Sequence, residues 1–406
     1  MKILHTSDWH LGQKFLHHSR QEEHQRVLDW LLQCIQTHKV DALLVSGDIF
    51  DIGNPPNYAR TLYYEFLRKL LQTCCRHVVI TGGNHDSPAM LNAPRELLAT
   101  MNIHVVGCAQ SSIDDEIIEL RDHNGQLEAV VAAVPFLRDK DLRFSYAGES
   151  GEQRTQRLRA GLLQHFKMAG TQVQLYENQQ VPLLAMGHLY VKGAYASSKQ
   201  DNIYIGDKEN ISAADFPSTF HYVALGHIHR AQQIGDLAHI RYSGSPIPLS
   251  FSETKDDKSV YLLHFEAQEL TQIEPLPIPT FRRLKTISGK LPYVKSRLQQ
   301  LASDYADHLP TWVEVIISTD RLIPNLDQQL YDYTANMPLE LLKIRVQRPL
   351  DTTAPAEVIR KLDDLSPLEV FQQKCVAHYD GQPPAEMEEL EMTFRLLLEQ
   401  LGQNED

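Results

Sequence analysis

Residues 41–51 read DALLVSGDIFD, and the fold turns on how they are read. Asp41–Ser46 is a short apolar run of strand length, and Gly47-Asp48-Ile49-Phe50-Asp51 follows it at once. Such a run bounded by turn residues reads as a buried strand, and Gly47 lets the chain turn closely beneath the carboxylate that follows. Upstream, Gln21–His38 carries Val27, Leu28, Leu31, Leu32 and Ile35 as a helical stripe. Before it, Lys2–Thr6 is another short strand, ending in Ser7-Asp8-Trp9-His10. Downstream, Tyr58–Leu71 is a helix with Leu62, Phe66, Leu67 and Leu70 on one side. Val78–Thr81 is a third strand, closed by Gly82-Gly83-Asn84-His85-Asp86, and Ile103–Val106 a fourth. Strands alternating with helices imply an α/β fold with a parallel sheet covered by helices.

After about Ser112 short strands dominate: Glu116–Leu120, Glu128–Val134, Pro182–Met186, Tyr222–Leu225, His239–Tyr242 and Ser259–Phe265, with a helix over Glu152–Met168. They predict a second sheet, partly antiparallel, stacked on the first. The Pro-rich stretch Glu274–Thr280 reads as a linker. Beyond it Phe281–Ile287, Tyr293–Tyr305, Trp312–Ser318, Pro324–Met337 and Leu339–Val346 alternate as a small β-α-β-α-β unit. A second linker, Asp351–Pro355, leads to a helical tail. There Ser366-Pro367-Leu368-Glu369 starts one helix with a cap, a proline and a carboxylate. Met387, Leu390, Phe394, Leu397, Leu398 and Leu401 line one face of another. The expected domains are residues 1–273, 281–348 and 356–406.

At 406 residues the chain exceeds one ordinary domain, and 42% hydrophobic with 22% charged residues is normal for a globular protein. A net charge of −13 argues against a protein that simply coats nucleic acid, though not against a nuclease whose bound cations reverse the local field. The N-terminal apolar run is only Ile3-Leu4, and no stretch approaches the roughly 18 apolar residues of a membrane span. A cytoplasmic location without membrane contact is expected. Cys34, Cys74, Cys75, Cys108 and Cys375 are odd in number and lack C-x-x-C spacing, which points to neither a disulfide framework nor a structural zinc site.

Chemistry concentrates at strand ends, where sites in such sheets sit. Asp8 and His10 can converge on one cation from a loop, although D-x-H alone reads equally well as a surface turn. Asp48 can bridge two cations with its two oxygens, while Gly-Asp also serves as turn geometry. The Asn84 side-chain oxygen is a neutral ligand. His85 could protonate a leaving oxygen, and Asp86 could orient a neighbouring histidine. His188, after Pro182–Met186, is weak evidence alone. His227 and His229, after Tyr222–Leu225, project to one side of an extended segment, and Arg230 could hold a phosphate. Together Asp8, His10, Asp48, Asn84, His188, His227 and His229 would fill two mixed nitrogen and oxygen sites, each ion keeping open positions. Without thiolates, and with carboxylate and amide ligands, two Mn²⁺ ions are favoured, with Fe or Zn as alternatives. Two ions about 3.5–4 Å apart clamp an in-line displacement at phosphorus.

The set D-x-H, G-D-x-x-D, G-N-H-D, G-H and G-H-x-H resembles the calcineurin-like metallophosphoesterases. Ser7–Gly12 (SDWHLG), Gly47–Asp51 (GDIFD), Gly83–Ser87 (GNHDS), Ala224–Arg230 (ALGHIHR) and Tyr242–Phe251 (YSGSPIPLSF) look like its DNA-repair nuclease branch. The likeness is dense over residues 1–265. It implies two stacked mixed sheets flanked by helices, a capping domain that helps place DNA, and a tail that grips a partner. It further implies one metal held by Asp8, His10, Asp48 and His229 and another by Asp48, Asn84, His188 and His227. His85 would be catalytic, with Asp51, Asp86 and Arg230 as supporting or phosphate-contacting residues. The branch cuts DNA with Mn²⁺, as a double-strand 3′-5′ exonuclease and a single-strand or hairpin endonuclease, in replication, recombination and repair. Its partner is an SMC-like ABC ATPase, and its own subunits pair as a homodimer within a nucleoid-associated heterotetramer. Two other readings stay open: a small-phosphoester hydrolase with the same centre, and a non-catalytic scaffold. A protein phosphatase fits less well, because Asp86-Ser87 stands where that branch carries Glu-Arg.

Overall fold

A computed structural model describes residues 1–142, 151–195, 211–303, 309–321 and 323–347, with isolated positions beyond 370. The chain starts with β1 (Lys2–Thr6), a small hairpin β2 (Lys14–Phe15) and β3 (His18–Ser19), and helix Gln21–His38. Then come β4 (Ala42–Ser46), helix Asn57–Leu70, β5 (His77–Thr81) and β6 (Ile103–Val106). Next are β7 (Ile117–Arg121), β8 (Leu127–Ala133), helix Gly151–Gln174, β9 (Leu183–His188), β10 (Tyr222–Gly226), β11 (Gln232–Ile234) and β12 (Leu237–Tyr242). The long strands β13 (Ser259–Glu266) and β14 (Glu269–Pro277) complete this part.

Two six-stranded sheets result, ordered β14-β13-β1-β4-β5-β6 and β11-β12-β10-β9-β8-β7. Within the first, β1, β4, β5 and β6 run parallel, with β13 antiparallel beside β1. In the second, β8, β9, β10 and β12 run parallel, with β7 and β11 antiparallel at the edges. Period-two alternation sorts the side chains. Leu4, Leu43 and Val45 pack with Leu28, Leu31, Leu62 and Phe66 of the two covering helices. Ile3, Ala42 and Leu44 turn the other way and meet Leu184, Met186 and Ala224 of the second sheet. The outer face of the second sheet packs on Phe166, Ala169 and Val173 of helix Gly151–Gln174. With both faces covered, the strands read as continuous apolar runs, and the motifs that end β1, β4, β5, β9 and β10 emerge at one rim.

The sequence reading needs two corrections here. Ser259–Phe265, expected in the second sheet, is β13 of the first, pairing Leu4 with Leu262. Its alternation serves either sheet equally, so only long-range pairing decides. Glu274–Thr280, expected as a linker, is strand as far as Pro277, so the fold continues past residue 273. Pro275 and Pro277 are tolerated because β14 is an edge strand, where a missing N–H interrupts no further ladder.

The small unit is as expected: β15 (Arg282–Gly289), helix Leu291–Ser303, β16 (Leu309–Ser318), helix Leu326–Thr334 and β17 (Leu339–Gln347) form a parallel sheet ordered β15-β16-β17. Its core is Val294, Leu298, Val313, Val315, Ile317 and Leu330. Phe15 of the hairpin packs with Leu284 and Trp312, joining this cap to the sandwich. Buried Glu23 accepts from Arg20 Nη2 at 2.5 Å and Arg282 Nε at 2.9 Å, and the Arg282 guanidinium lies 4.1 Å over Trp312. Residues 348–406 form a separate unit in which Phe371 stacks on Phe394. The rest of the expected tail lies outside the described residues. No described helix is long and apolar enough to cross a membrane.

Candidate metal centre

The loops after β1 and β4 are laced together by their backbones. Asp8 N donates to Gly47 O, His10 N to Asp48 O and Leu11 N to Ile49 O, at 2.9–3.0 Å. This lacing holds Asp8, His10 and Asp48 at φ of 52°, 46° and 50°, and His227 sits at 100°. Left-handed backbone at non-glycine residues costs about 1–3 kcal/mol each and persists only where surroundings enforce it. Space is as tight as the backbone. A Cβ on Gly83 would stand 2.1 Å from Asp48 Oδ1, and one on Gly47 would stand 2.2 Å from His188 Nδ1.

The seven candidate ligands lie together. Asp8, His10 and His229 bring donor atoms within 4.8 Å of one another, as do Asp48, His188 and His227. Asp48 joins the two trios: its Oδ2 lies 3.5 Å from His10 Nε2 and 3.3 Å from His188 Nε2. Asn84 Oδ1 stands 3.1 Å from His188 Nε2 and 2.9 Å from His227 Nδ1. Asp8, Asp48, His10, His188 and His227 are buried, while Asn84 and His85 lie at the exposed rim. Asp8 accepts the His227 N–H at 2.9 Å, which ties the ends of β1 and β10 across the two sheets.

The electrostatics suit bound cations. Burial opposes a proton on His10, but Asp51, Asp48 and Asp8 outweigh it and raise its pKa to about 9. His188 is likewise raised to about 9, against its burial, chiefly by Asp48. Burial disfavours charge on Asp48, yet His188 and His10 hold it well below the usual carboxylate range. His227 is held neutral by burial and by His188. Buried His10 Nε2 has no hydrogen-bond partner among the described residues and points toward Asp48. A cluster that recruits protons onto imidazoles to balance buried carboxylates is one that divalent cations suit.

Asp51 Oδ1 lies 3.1 Å from His10 Nδ1, and the Asp51 carbonyl lies 2.7 Å from His85 Nδ1. Asp86 differs from expectation. Rather than orienting a histidine, its carboxylate accepts the backbone N–H groups of Gly83, Ile49 and Phe50 at 2.8–3.1 Å, pinning two motif loops together. Burial and the charge of Asp48 push its pKa up to about 6. Arg230 Nη2 is paired with Asp256 at 2.6 Å. Sequence reasoning missed Glu253 and Lys258, which stand in no motif. Glu253 Oε1 lies 3.6 Å from His229 Nδ1, and Lys258 donates to Glu253 Oε2 at 2.8 Å. Against its burial, Lys258 and His229 hold Glu253 below the usual range. The only signal nearby was the matched run Tyr242–Phe251, which stops two residues short.

A two-trio centre at the strand ends of paired mixed sheets defines a class, the calcineurin-like phosphoesterases, and that family's profile matches residues 1–231. A second profile, the type 5 capsule protein repressor C-terminal domain (SbcD_C), matches residues 280–379. The chain is 41% identical to the SbcD component of the SbcCD nuclease of Escherichia coli K12 over 92% of each chain. It is 35% identical to the Rhodobacter capsulatus protein of that name, over 88% of this chain and 89% of that one. It is 33% identical to the Bacillus subtilis one, over 65% and 66%. The chain belongs to the SbcD family of nuclease subunits.

Proposed function

We propose that this chain cleaves DNA phosphodiesters with two Mn²⁺ ions. The observation that carries the reading is the pair of donor trios joined through Asp48, which belongs to one and lies 3.5 Å from His10 of the other. Asp8, His10, Asp48 and His229 would hold one ion, and Asp48, Asn84, His188 and His227 the other. When bound, such a pair lowers the pKa of an attacking water and neutralises charge on the phosphoryl oxygens. The chain's own residues do the rest. Asp48 fixes the spacing between the two sites. Asp51 sets the His10 ring, and its carbonyl takes the Nδ1–H of His85, leaving Nε2 at the exposed rim. In the doubly protonated ring that Nε2–H would pass its proton to the departing oxygen and leave the neutral Nδ1–H imidazole behind. The left-handed backbone at Asp8, His10 and Asp48 preorganises the donors before substrate arrives.

The cap, fixed through Glu23 and Arg282, flanks the rim and would help seat DNA. By likeness to the SbcD family, the activities are double-strand 3′-5′ exonuclease and single-strand or hairpin endonuclease, in a complex with an SMC-like ABC ATPase. The phosphoesterase domains would pair as a homodimer, and the segment 356–406 would dock the ATPase coiled coil. The test is labelled hairpin and duplex DNA against p-nitrophenyl phosphate with Mn²⁺. DNA cleavage is expected, and rapid ester turnover with intact DNA overturns the reading in favour of a small-phosphoester hydrolase. Loss of ATPase association on deleting residues 351–406 is expected, and retained association rejects the docking role.

A further inference from the structure

Three imidazoles of the centre each have one nitrogen turned to an oxygen behind the ring. His10 Nδ1 faces Asp51 Oδ1 at 3.1 Å, His188 Nδ1 faces Ser46 O at 2.9 Å, and His85 Nδ1 faces Asp51 O at 2.7 Å. An oxygen behind the ring fixes its tautomer and leaves the other nitrogen to act. For His229 that oxygen is Glu253 Oε1, at an ion-pair distance of 3.6 Å.

Glu253 is 2% exposed and is itself fixed. Its Oε2 accepts from Leu249 N at 3.1 Å and from Lys258 Nζ at 2.8 Å. The Lys258 ammonium has three donors. Besides Glu253 they reach Ser245 Oγ at 2.9 Å and the His229 carbonyl at 2.7 Å. One buried acid–base pair therefore grips His229 at both ends, the carboxylate at the ring and the ammonium at the backbone. A buried ion pair adds little net stability over a well-packed apolar pair. What an apolar pair could not do here is orient an imidazole and anchor its peptide.

We propose that Glu253 is a positioning residue for the metal centre: backed by Lys258, it holds His229 as the Nδ1–H tautomer and presents Nε2 to the trio with Asp8 and His10. The consequence for metal rests on the two-ion reading above, whereas the hold on the ring does not. The test uses the intact chain. Long-range ¹H–¹⁵N spectra of the metal-free protein are expected to show His229 as the Nδ1–H tautomer, and a dominant Nε2–H tautomer overturns the proposal. Calorimetric titration with MnCl₂ is expected to show two ions on the parent. Glu253→Gln should leave one ion unaffected and weaken the other about 10–100-fold, with the His229 ring signal moving toward a tautomer mixture. Glu253→Gln with Lys258→Met leaves no buried ammonium unpaired and serves where the single variant melts early; the same selective loss is expected. A folded variant with both affinities and the ring spectrum unchanged overturns the proposal. If the parent takes up no manganese, the two-ion reading fails, and the His229 spectrum alone still decides the role of Glu253.

Discussion

Lowering the pH should weaken both metal sites by the same factor, because each holds one imidazole that the neighbouring carboxylates, against burial, keep protonated in the metal-free protein. His10, in the trio with Asp8 and His229, and His188, in the trio with Asp48 and His227, both titrate at about 9. His227 is neutral throughout, so it releases nothing. Each ion must displace one proton, and below about pH 9 the apparent affinity should fall about tenfold per pH unit at each site. Between pH 8 and pH 6 the loss is about 100-fold per site. Calorimetry in buffers of different ionisation enthalpy counts the protons directly, and close to one per ion is expected at pH 7. Affinity that is flat from pH 6 to 8, with no proton release, would refute the reasoning. Stability carries the same signature with the opposite sign. Both folded values lie above the ordinary 6.5. Their contribution is therefore fully present below pH 6.5 and lost as the pH rises through about 9, up to about 3 kcal/mol for each ring. Metal-free protein should melt progressively earlier across that window, and saturating Mn²⁺ should remove the trend.

His85→Ala should lower DNA cleavage by roughly 10²–10⁴-fold while calorimetry still finds two ions; His85 also stands in a third donor group with His10 and Asp51, and loss of an ion from this variant would make it a ligand instead. Gly83→Ala should cost both sites, because the new Cβ would fall 2.1 Å from Asp48 Oδ1 and 2.3 Å from its amide nitrogen; metal content by elemental analysis would report it. Glu23→Ala leaves buried Arg20 without its carboxylate and unhooks Arg282 from the sandwich, so urea titration should show a loss of about 3–5 kcal/mol. Leu44→Ala, at the fully buried interface between the sheets, should cost about 2–5 kcal/mol with metal affinity unchanged.

Much of the fold was legible because its strands are short and apolar and each ends in a residue type with a distinct chemistry. Asp41–Ser46 followed by Gly47-Asp48 is a local statement, and local statements survive folding. The placement of Ser259–Phe265 was not local: Leu262 and Leu263 alternate suitably for either sheet, and only pairing with β1, far away in the chain, assigns them. Pro275 and Pro277 looked like a linker because an edge strand and an extended tether share a composition. At the site, the seven candidate donors were legible only as a set: each motif alone also reads as a turn, and it is five strand ends supplying Asp, Asn and His together that singles them out. Their supports were less so. Asp86 looks like a histidine partner by adjacency, yet three backbone amides reach it first. The pairing of Arg230 with Asp256 depends on a contact that no local pattern shows. Glu253 carries no motif at all, because its role is defined by what folds against it.

Anomalous scattering from crystals soaked in manganese tests the central claim most directly. Two peaks about 3.5–4 Å apart are predicted, one bounded by Asp8, His10, His229 and Asp48 and the other by Asp48, Asn84, His188 and His227. A single peak, or none, with the protein intact would contradict it.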